Sequence, residues 1–287
     1  MNIKKITSNS TDYPDVLRQL ASPPKCLFTQ GQPLKDFLTL PRVAVIGSRS
    51  ITPYGKQVTE ELSAGLAKQG IVVISGLALG VDSVAHQAAL ENNGKCIAVL
   101  PSCLERIVPR TNLSLAHKIL KNDGTLISEY AESQPTYKQN FVARNRIMAG
   151  LADAVLITEA SLKSGTMHTA RFALEQGIDV MAVPGSIYNA SSKGTNSLIK
   201  AGATAVTAIE DILAVLGIKP KSYTQRVPIG SNQQQQTVLD LLASGHSDGD
   251  EILHLCQLPV NDFNKVITML EITGKIRSLG GNHWVIS

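Results

Sequence analysis

The sequence predicts an α/β protein, a doubly wound parallel sheet followed by a small C-terminal unit of three helices and a two-stranded wing. Short apolar, β-branched runs alternate with helical patterns across residues 41–216, the signature of strand–helix–strand units. Glycine or small hydroxyl residues stand at nearly every carboxyl end of those runs. After Leu216 the alternation stops and a polar stretch with two prolines and two glycines intervenes.

The first forty residues carry no repeat and no clear periodicity, so they are read as an N-terminal extension wrapping the sheet (1–40). Buried strands are expected at 43–46, 71–74, 96–100, 126–128, 154–158 and 179–183, because continuous apolar runs of this length suit a sheet covered on both faces. Helices are expected at 54–68, 81–93, 112–121, 167–176 and 196–201. Right-handed crossovers then place any ligand beyond the carboxyl ends of the strands. Residues 217–232 read as a linker. Beyond it, helices over 233–243, 248–256 and 260–273 and strands over 275–279 and 283–286 make a winged helix-turn-helix (233–287).

Composition narrows the function. The chain has 287 residues, 43% hydrophobic and 17% charged, which suits an ordered globular protein with one large core and a smaller one. Its net charge is +4, but residues 233–287 hold three cations against six acids, leaving 24 cations and 17 acids in the remainder. A polyanion should therefore meet the larger N-terminal part. The third C-terminal helix offers Asp262, Asn264, Lys265 and Glu271, poor equipment for reading a major groove, so the winged-helix unit is read as a protein-interaction or structural module. Four scattered cysteines without a CxxC pair argue against structural zinc and for a reduced, cytoplasmic compartment. There is no apolar leader, and the run 71–81 is too short and glycine-rich to span a bilayer. No membrane association, metal or cofactor is expected.

The chemistry concentrates between Lys138 and Thr166. Phe141 stands among Lys138, Arg144 and Arg146, followed by a helical stretch at 147–151 and by Lys163-Ser164-Gly165-Thr166 at a strand end. Cations neutralise phosphate, a phenyl ring stacks on an unpaired base, and Ser-Gly-Thr at a helix start offers N–H groups to an anion. Phe141 can equally plug the core, with the arginines paired to Glu129 or Glu159. Lys163 has no packing reason to sit in its loop.

Gly47-Ser48-Arg49 follows the first strand and reads either as a phosphate cradle with Arg49 as clamp or as a tight βα turn. It is no P-loop: Gly55-Lys56 lies too far from Gly47, and Gln57 stands where a magnesium-holding hydroxyl would be. No G-x-G-x-x-G occurs, so no nicotinamide cofactor is expected. Gly76 and Gly80 are explained by close backbone approach. Asp82 and His86, one turn apart, are expected to pair structurally, and His168 to lie on a helix surface. No nucleophile with an orienting partner and no carboxylate pair stands out, so no catalytic residue is assigned.

In order along the chain come Val43-Ala44-Val45-Ile46-Gly47-Ser48-Arg49, Ile74-Ser75-Gly76-Leu77-Ala78, Ala98-Val99-Leu100, Ser128-Glu129-Tyr130, Arg144-Asn145-Arg146-Ile147, Glu159-Ala160, Ser164-Gly165-Thr166, Thr169-Ala170 and Val183-Pro184-Gly185. This series, running from about Tyr13 to Ala205, resembles the DNA-processing protein A (DprA/Smf) family. The resemblance implies an extended Rossmann-like fold that binds single-stranded DNA without cutting it, forms a homodimer and loads the RecA recombinase on incoming DNA in natural transformation. It implies a DNA pocket of Gly47, Ser48, Arg49, Lys138, Phe141, Arg144 and Lys163, with Ser164 and Gly165 as backbone donors. Leu79, Pro101-Ser102-Cys103 and Val108-Pro109 depart from the family pattern. The rival reading is a phosphoribohydrolase of the lysine-decarboxylase-like group, which shares this sheet. Its glycine loop continues into a glutamate, whereas Thr166 is followed here by Met167-His168-Thr169. A third is an interaction scaffold acting through the acidic wing.

Overall fold

A computed structural model describes residues 2–132, 134–220 and 228–286, so residues 221–227 of the expected linker lie outside the described residues. The chain divides into two compact units, residues 1–221 and 222–287.

In chain order the first unit contains β1 (Lys4–Thr7), α1 (Asp15–Arg18), β2 (Cys26–Gly31), α2 (Lys35–Leu38), β3 (Arg42–Gly47), α3 (Pro53–Lys68), β4 (Val72–Ser75) and α4 (Val81–Glu91). It continues through β5 (Cys96–Leu100), α5 (Leu113–Lys121), β6 (Thr125–Ser128), α6 (Lys138–Leu151), β7 (Ala154–Glu159) and α7 (Thr166–Glu175). It closes with β8 (Asp179–Ala182), α8 (Lys193–Lys200), β9 (Thr204–Ala205) and α9 (Ile209–Val215). The strands form one sheet in the order β1-β2-β6-β5-β4-β3-β7-β8-β9. From β3 the chain winds outward through β4 and β5 to β6, then returns to the other side of β3 as β7. The switch point, where sheets of this class bind ligands, is therefore the β3/β7 crevice.

The parallel, doubly covered sheet is as expected, and its central strands β4, β5, β6 and β7 are buried along their whole length. Along β3, Val43 and Val45 pack into one core layer and Ala44 and Ile46 into the other. The N-terminal extension is more than a wrapper. Its β1 and β2 join the sheet antiparallel, β2 pairing with β6 from Phe28–Ser128 to Gly31–Thr125. A buried guanidinium ties this extension down: Arg42 donates to the carbonyls of Leu38, Leu40 and Leu151 and pairs with Asp153 at 2.5 Å.

The larger departure from expectation is α6, one continuous helix from Lys138 where the sequence reads as helical only at 147–151. Its inward face is polar. Asn140, Arg144 and Asn145 are buried, with Asn140 donating to the Pro101 carbonyl at 3.2 Å. Apolar periodicity cannot reveal a helix whose inward side chains are held by hydrogen bonds.

The second unit contains α10 (Gln233–Ala243), α11 (Gly249–Cys256), α12 (Val260–Ile272), β10 (Ile276–Gly280) and β11 (His283–Ile286), a winged helix. Val238, Leu239, Ile252, Phe263, Val266 and Leu270 fill its core. Asp248 caps α11 by accepting from the N–H groups of Asp250 and Glu251 at 3.0 Å. Among the described residues no helix is long and apolar enough to cross a membrane.

Candidate nucleic-acid interface

At the β3/β7 switch point lies an open cavity of about 480 Å³. The β3–α3 turn forms one wall, α6 the opposite wall and the β7–α7 loop the third. Of the residues expected from sequence, the cavity brings together Gly47, Ser48, Arg49, Lys138, Phe141, Arg144, Ser164, Gly165 and Thr166. Lys163 stands exposed beside it on the β7–α7 loop. Arg146 does not line it.

Arg49 is exposed, and its guanidinium lies over the Phe141 ring at 4.7 Å from the centroid. This cation–π contact holds a planar cation and a half-buried aromatic face against each other across the cavity. Arg49, Lys138 and Lys163 enter no ion pair among the described residues. All three keep their donors for a ligand.

The two arginines of α6 are engaged internally. Arg144 is 3% exposed and donates to the carbonyls of Gly76 (2.6 Å) and Val99. The Gly76 N–H in turn donates to the Asp82 carboxyl group at 3.0 Å, so the two peptide groups flanking one glycine join the buried Arg144 to the buried Asp82. Burial pulls the Arg144 pKa down to about 10, with Asp82 acting against it, so the group stays charged at neutral pH. Burial raises the Asp82 pKa, opposed by Arg144 and by the N–H groups of Ala78 and Gly76. Arg146 is bound to Glu129 through both terminal nitrogens, at 2.6 and 3.0 Å, and to the Ser22 and Ala143 carbonyls. Arg144 therefore reaches the cavity with its Nη1 and Nε donors committed, and Arg146 faces away from it into a structural pair.

The backbone donors are fewer than the motifs suggest. In the first turn Ser48 N–H donates to the Glu159 carbonyl (2.8 Å) and Ser50 N–H to the Ser48 hydroxyl (3.1 Å), which leaves Arg49 N–H. In the second, Ser164 N–H donates to the Ser161 carbonyl (3.0 Å) and Thr166 N–H to the Ser164 hydroxyl (3.2 Å), which leaves Gly165 N–H. A side chain at Gly165 would meet nothing within 4 Å, so this backbone is open to close approach. The Thr166 hydroxyl donates to the Gly47 carbonyl at 2.9 Å and fastens the two turns together.

Several cavity residues escape sequence reading: Asn145 and Met148 on α6, and Asp82 and Ala78 from the β4–α4 side. With Lys138 and Phe141 the α6 pair makes a stripe at helical spacing, a signal available only once the segment is known to be a helix. Leu79 is 47% exposed near this rim, an apolar residue on a polar edge. Asp82 and His86 do not pair. The Asp82 carboxylate is taken by backbone N–H groups, and no hydrogen bond joins it to the imidazole. His86 is fully buried, and burial lowers its pKa to about 3 against the opposing effect of the Ser75 backbone, so it is neutral. His168 is exposed on α7, as expected, and the first turn of that helix carries no acid. No group of three or more potential metal ligands occurs among the described residues.

A cationic, aromatic pocket at the switch point of an extended Rossmann-like sheet, in a chain that also carries a winged helix, defines the class. The chain belongs to the DNA recombination-mediator protein A family, whose model matches residues 4–217. A model for the DprA winged helix domain matches residues 224–282. It is 38% identical to protein Smf of Escherichia coli over 97% of this chain and 76% of that one. It is 42% identical to DNA processing protein DprA of Streptococcus pneumoniae over 70% of each chain. The crystal structure of the S. pneumoniae protein superposes with a TM-score of 0.69 at 38% identity, over 74% of each chain. The solved structure of DNA processing protein A from Helicobacter pylori, described with a single-stranded DNA binding mode, superposes with a TM-score of 0.66 at 35% identity, over 75% of this chain and 95% of that one.

Proposed function

We propose that this chain is a DNA-processing protein that holds single-stranded DNA, without sequence preference, in the β3/β7 cavity. The observation that carries the reading is the Arg49–Phe141 stack inside a cavity rimmed by unpaired cations. A base stacks on the phenyl ring or on the outer face of the guanidinium, while Lys138 and Lys163 neutralise the flanking phosphates. The Arg49 and Gly165 N–H groups add phosphate donors that read no sequence. The single-stranded DNA binding mode described for the H. pylori relative supports single-stranded DNA as the ligand.

On this reading the protein works without covalent chemistry, as a recombination mediator in the cytoplasm. The family implies that it forms a homodimer and presents the strand to RecA during natural transformation. A dimer would place two pockets on one strand and raise avidity through effective concentration.

Titration of an unlabelled-sequence series of single strands at two salt concentrations tests the pocket. Phe141→Ala is expected to weaken binding about tenfold, the loss of one stacked base. Arg49→Ala is expected to weaken it comparably and to lower the salt slope by about one ion. Wild-type affinity in both variants overturns the assignment.

A further inference from the structure

In sheets of this class the first βα turn and the N-terminus of the helix that follows hold a ligand's phosphate. Here that helix is α3, after β3, and its N-terminus is already occupied. Glu159, the last residue of β7, is 2% exposed, and its Oε2 accepts from both Thr52 N–H and the Thr52 hydroxyl at 3.0 Å. Thr52 is the cap of α3, its hydroxyl accepting from Gly55 N–H at 3.1 Å. Position 53 is a proline with no N–H to offer, and position 55 must be glycine because a side chain there would collide with the Glu159 carboxylate. The other carboxylate oxygen, Oε1, is buried without a partner. A carboxylate thus stands where a phosphate would.

The same residue also grips the turn from its other end. Its main-chain carbonyl accepts from Ser48 N–H at 2.8 Å, and Glu159 pairs with Gly47 across the β3/β7 ladder. Arg49 lies between these two anchor points, Ser48 and Thr52.

We infer that Glu159 is a built-in anion with two effects: it closes the α3 N-terminus to nucleotide phosphates, and it positions Arg49 for the DNA backbone. The second effect rests on the function proposed above; the first does not. Glu159 touches no nucleic acid and acts through the turn. A peptide turn held at both ends presents its guanidinium in one place, and the helix N-terminus loses its attraction for a second anion because its charge is already met.

A double-mutant cycle separates positioning from general damage. Glu159→Ala is expected to reduce single-stranded DNA affinity about tenfold when Arg49 is present, and by less than about twofold in an Arg49→Ala background. Glu159→Gln, which keeps an oxygen acceptor for Thr52, is expected to stay within about twofold of the parent. Should Glu159→Ala fail to fold, Thr52→Val removes the hydroxyl anchor for the loss of one cap and enters the same cycle. Equal losses in both backgrounds overturn the positioning role. The closure is tested apart from DNA, by melting in inorganic phosphate with Arg49→Ala throughout. The Glu159→Ala double variant is expected to gain about 2 °C or more from phosphate while Arg49→Ala alone gains nothing. Absence of that difference overturns the closure. If Arg49→Ala and Phe141→Ala both bind DNA as tightly as the parent, the pocket assignment fails while the phosphate result still decides the closure.

Discussion

Two arginines reach the same cavity from opposite walls and differ in every other respect. Arg49 stands on an exposed turn with its guanidinium against Phe141 and, among the described residues, no acceptor for its side-chain N–H groups. Arg144 rises from α6, buried, with its donors on the carbonyls of Gly76 and Val99 and with Asp82 behind the Gly76 peptide. Proximity to a cavity does not make a cation a phosphate ligand. What matters is how many donors the fold leaves it, and here one arginine keeps all of its donors while the other spends Nη1 and Nε on holding the wall in place.

The largest test of that contrast is Arg144→Met. It would orphan two carbonyls and leave the Asp82 carboxylate buried without its compensating charge, which is expected to remove about 3–5 kcal/mol of stability. Denaturant unfolding measures it. A loss below about 1 kcal/mol would show that Arg144 is no structural cation. Gly76 belongs to the same unit, since any side chain there would strike the guanidinium.

His86 lies one turn beyond Asp82 on α4 and provides a test by pH. Its folded pKa is depressed to about 3 against an ordinary 6.5, with burial the main cause and Arg144 adding to it. The unfolded chain therefore takes up the proton first, so the histidine's contribution is intact above pH 6.5 and is lost as pH falls toward 3. Between pH 7 and 5 the loss amounts to about 2 kcal/mol. Asp82 has the opposite sign: its raised pKa makes its burial less favourable as pH rises. Comparing His86→Leu with the parent isolates the histidine, and the variant should lose about 2 kcal/mol less over that interval. Equal pH slopes would mean that the imidazole is not held neutral.

Much of this architecture was legible in the sequence, and the exceptions share a cause. Strands β3 to β8 and helices α3, α4, α5 and α7 fall within a few residues of their expected bounds, because apolar runs and small-residue turns mark both. Strand β1 escaped because Lys4-Lys5-Ile6-Thr7 is an edge segment whose lysines mask its pattern. The first half of α6 escaped because Asn140, Arg144 and Asn145 replace the apolar stripe. The cavity's composition was readable from glycines and cations at strand ends. The allocation of those cations was not, since it depends on carbonyls contributed by Gly76, Val99 and Ser22, distant in sequence.

The smallest expected effects sharpen the contrast most. Arg146 and Lys163 both belong to the cationic cluster read from sequence, yet Arg146 is locked to Glu129 and Lys163 enters no ion pair among the described residues. Arg146→Ala should reduce stability by about 1–2 kcal/mol through the half-buried pair and leave the salt slope of DNA binding where it was. Lys163→Ala should leave stability within about 0.5 kcal/mol, weaken binding a few fold and lower the slope by about one ion. The slope is the decisive measurement, because it counts phosphates neutralised and ignores how well the fold is packed. A reversed pair of slopes would move the DNA path to the Glu129 side of α6; the expected pair keeps it over the β7–α7 loop, with Lys163 as its outermost cation.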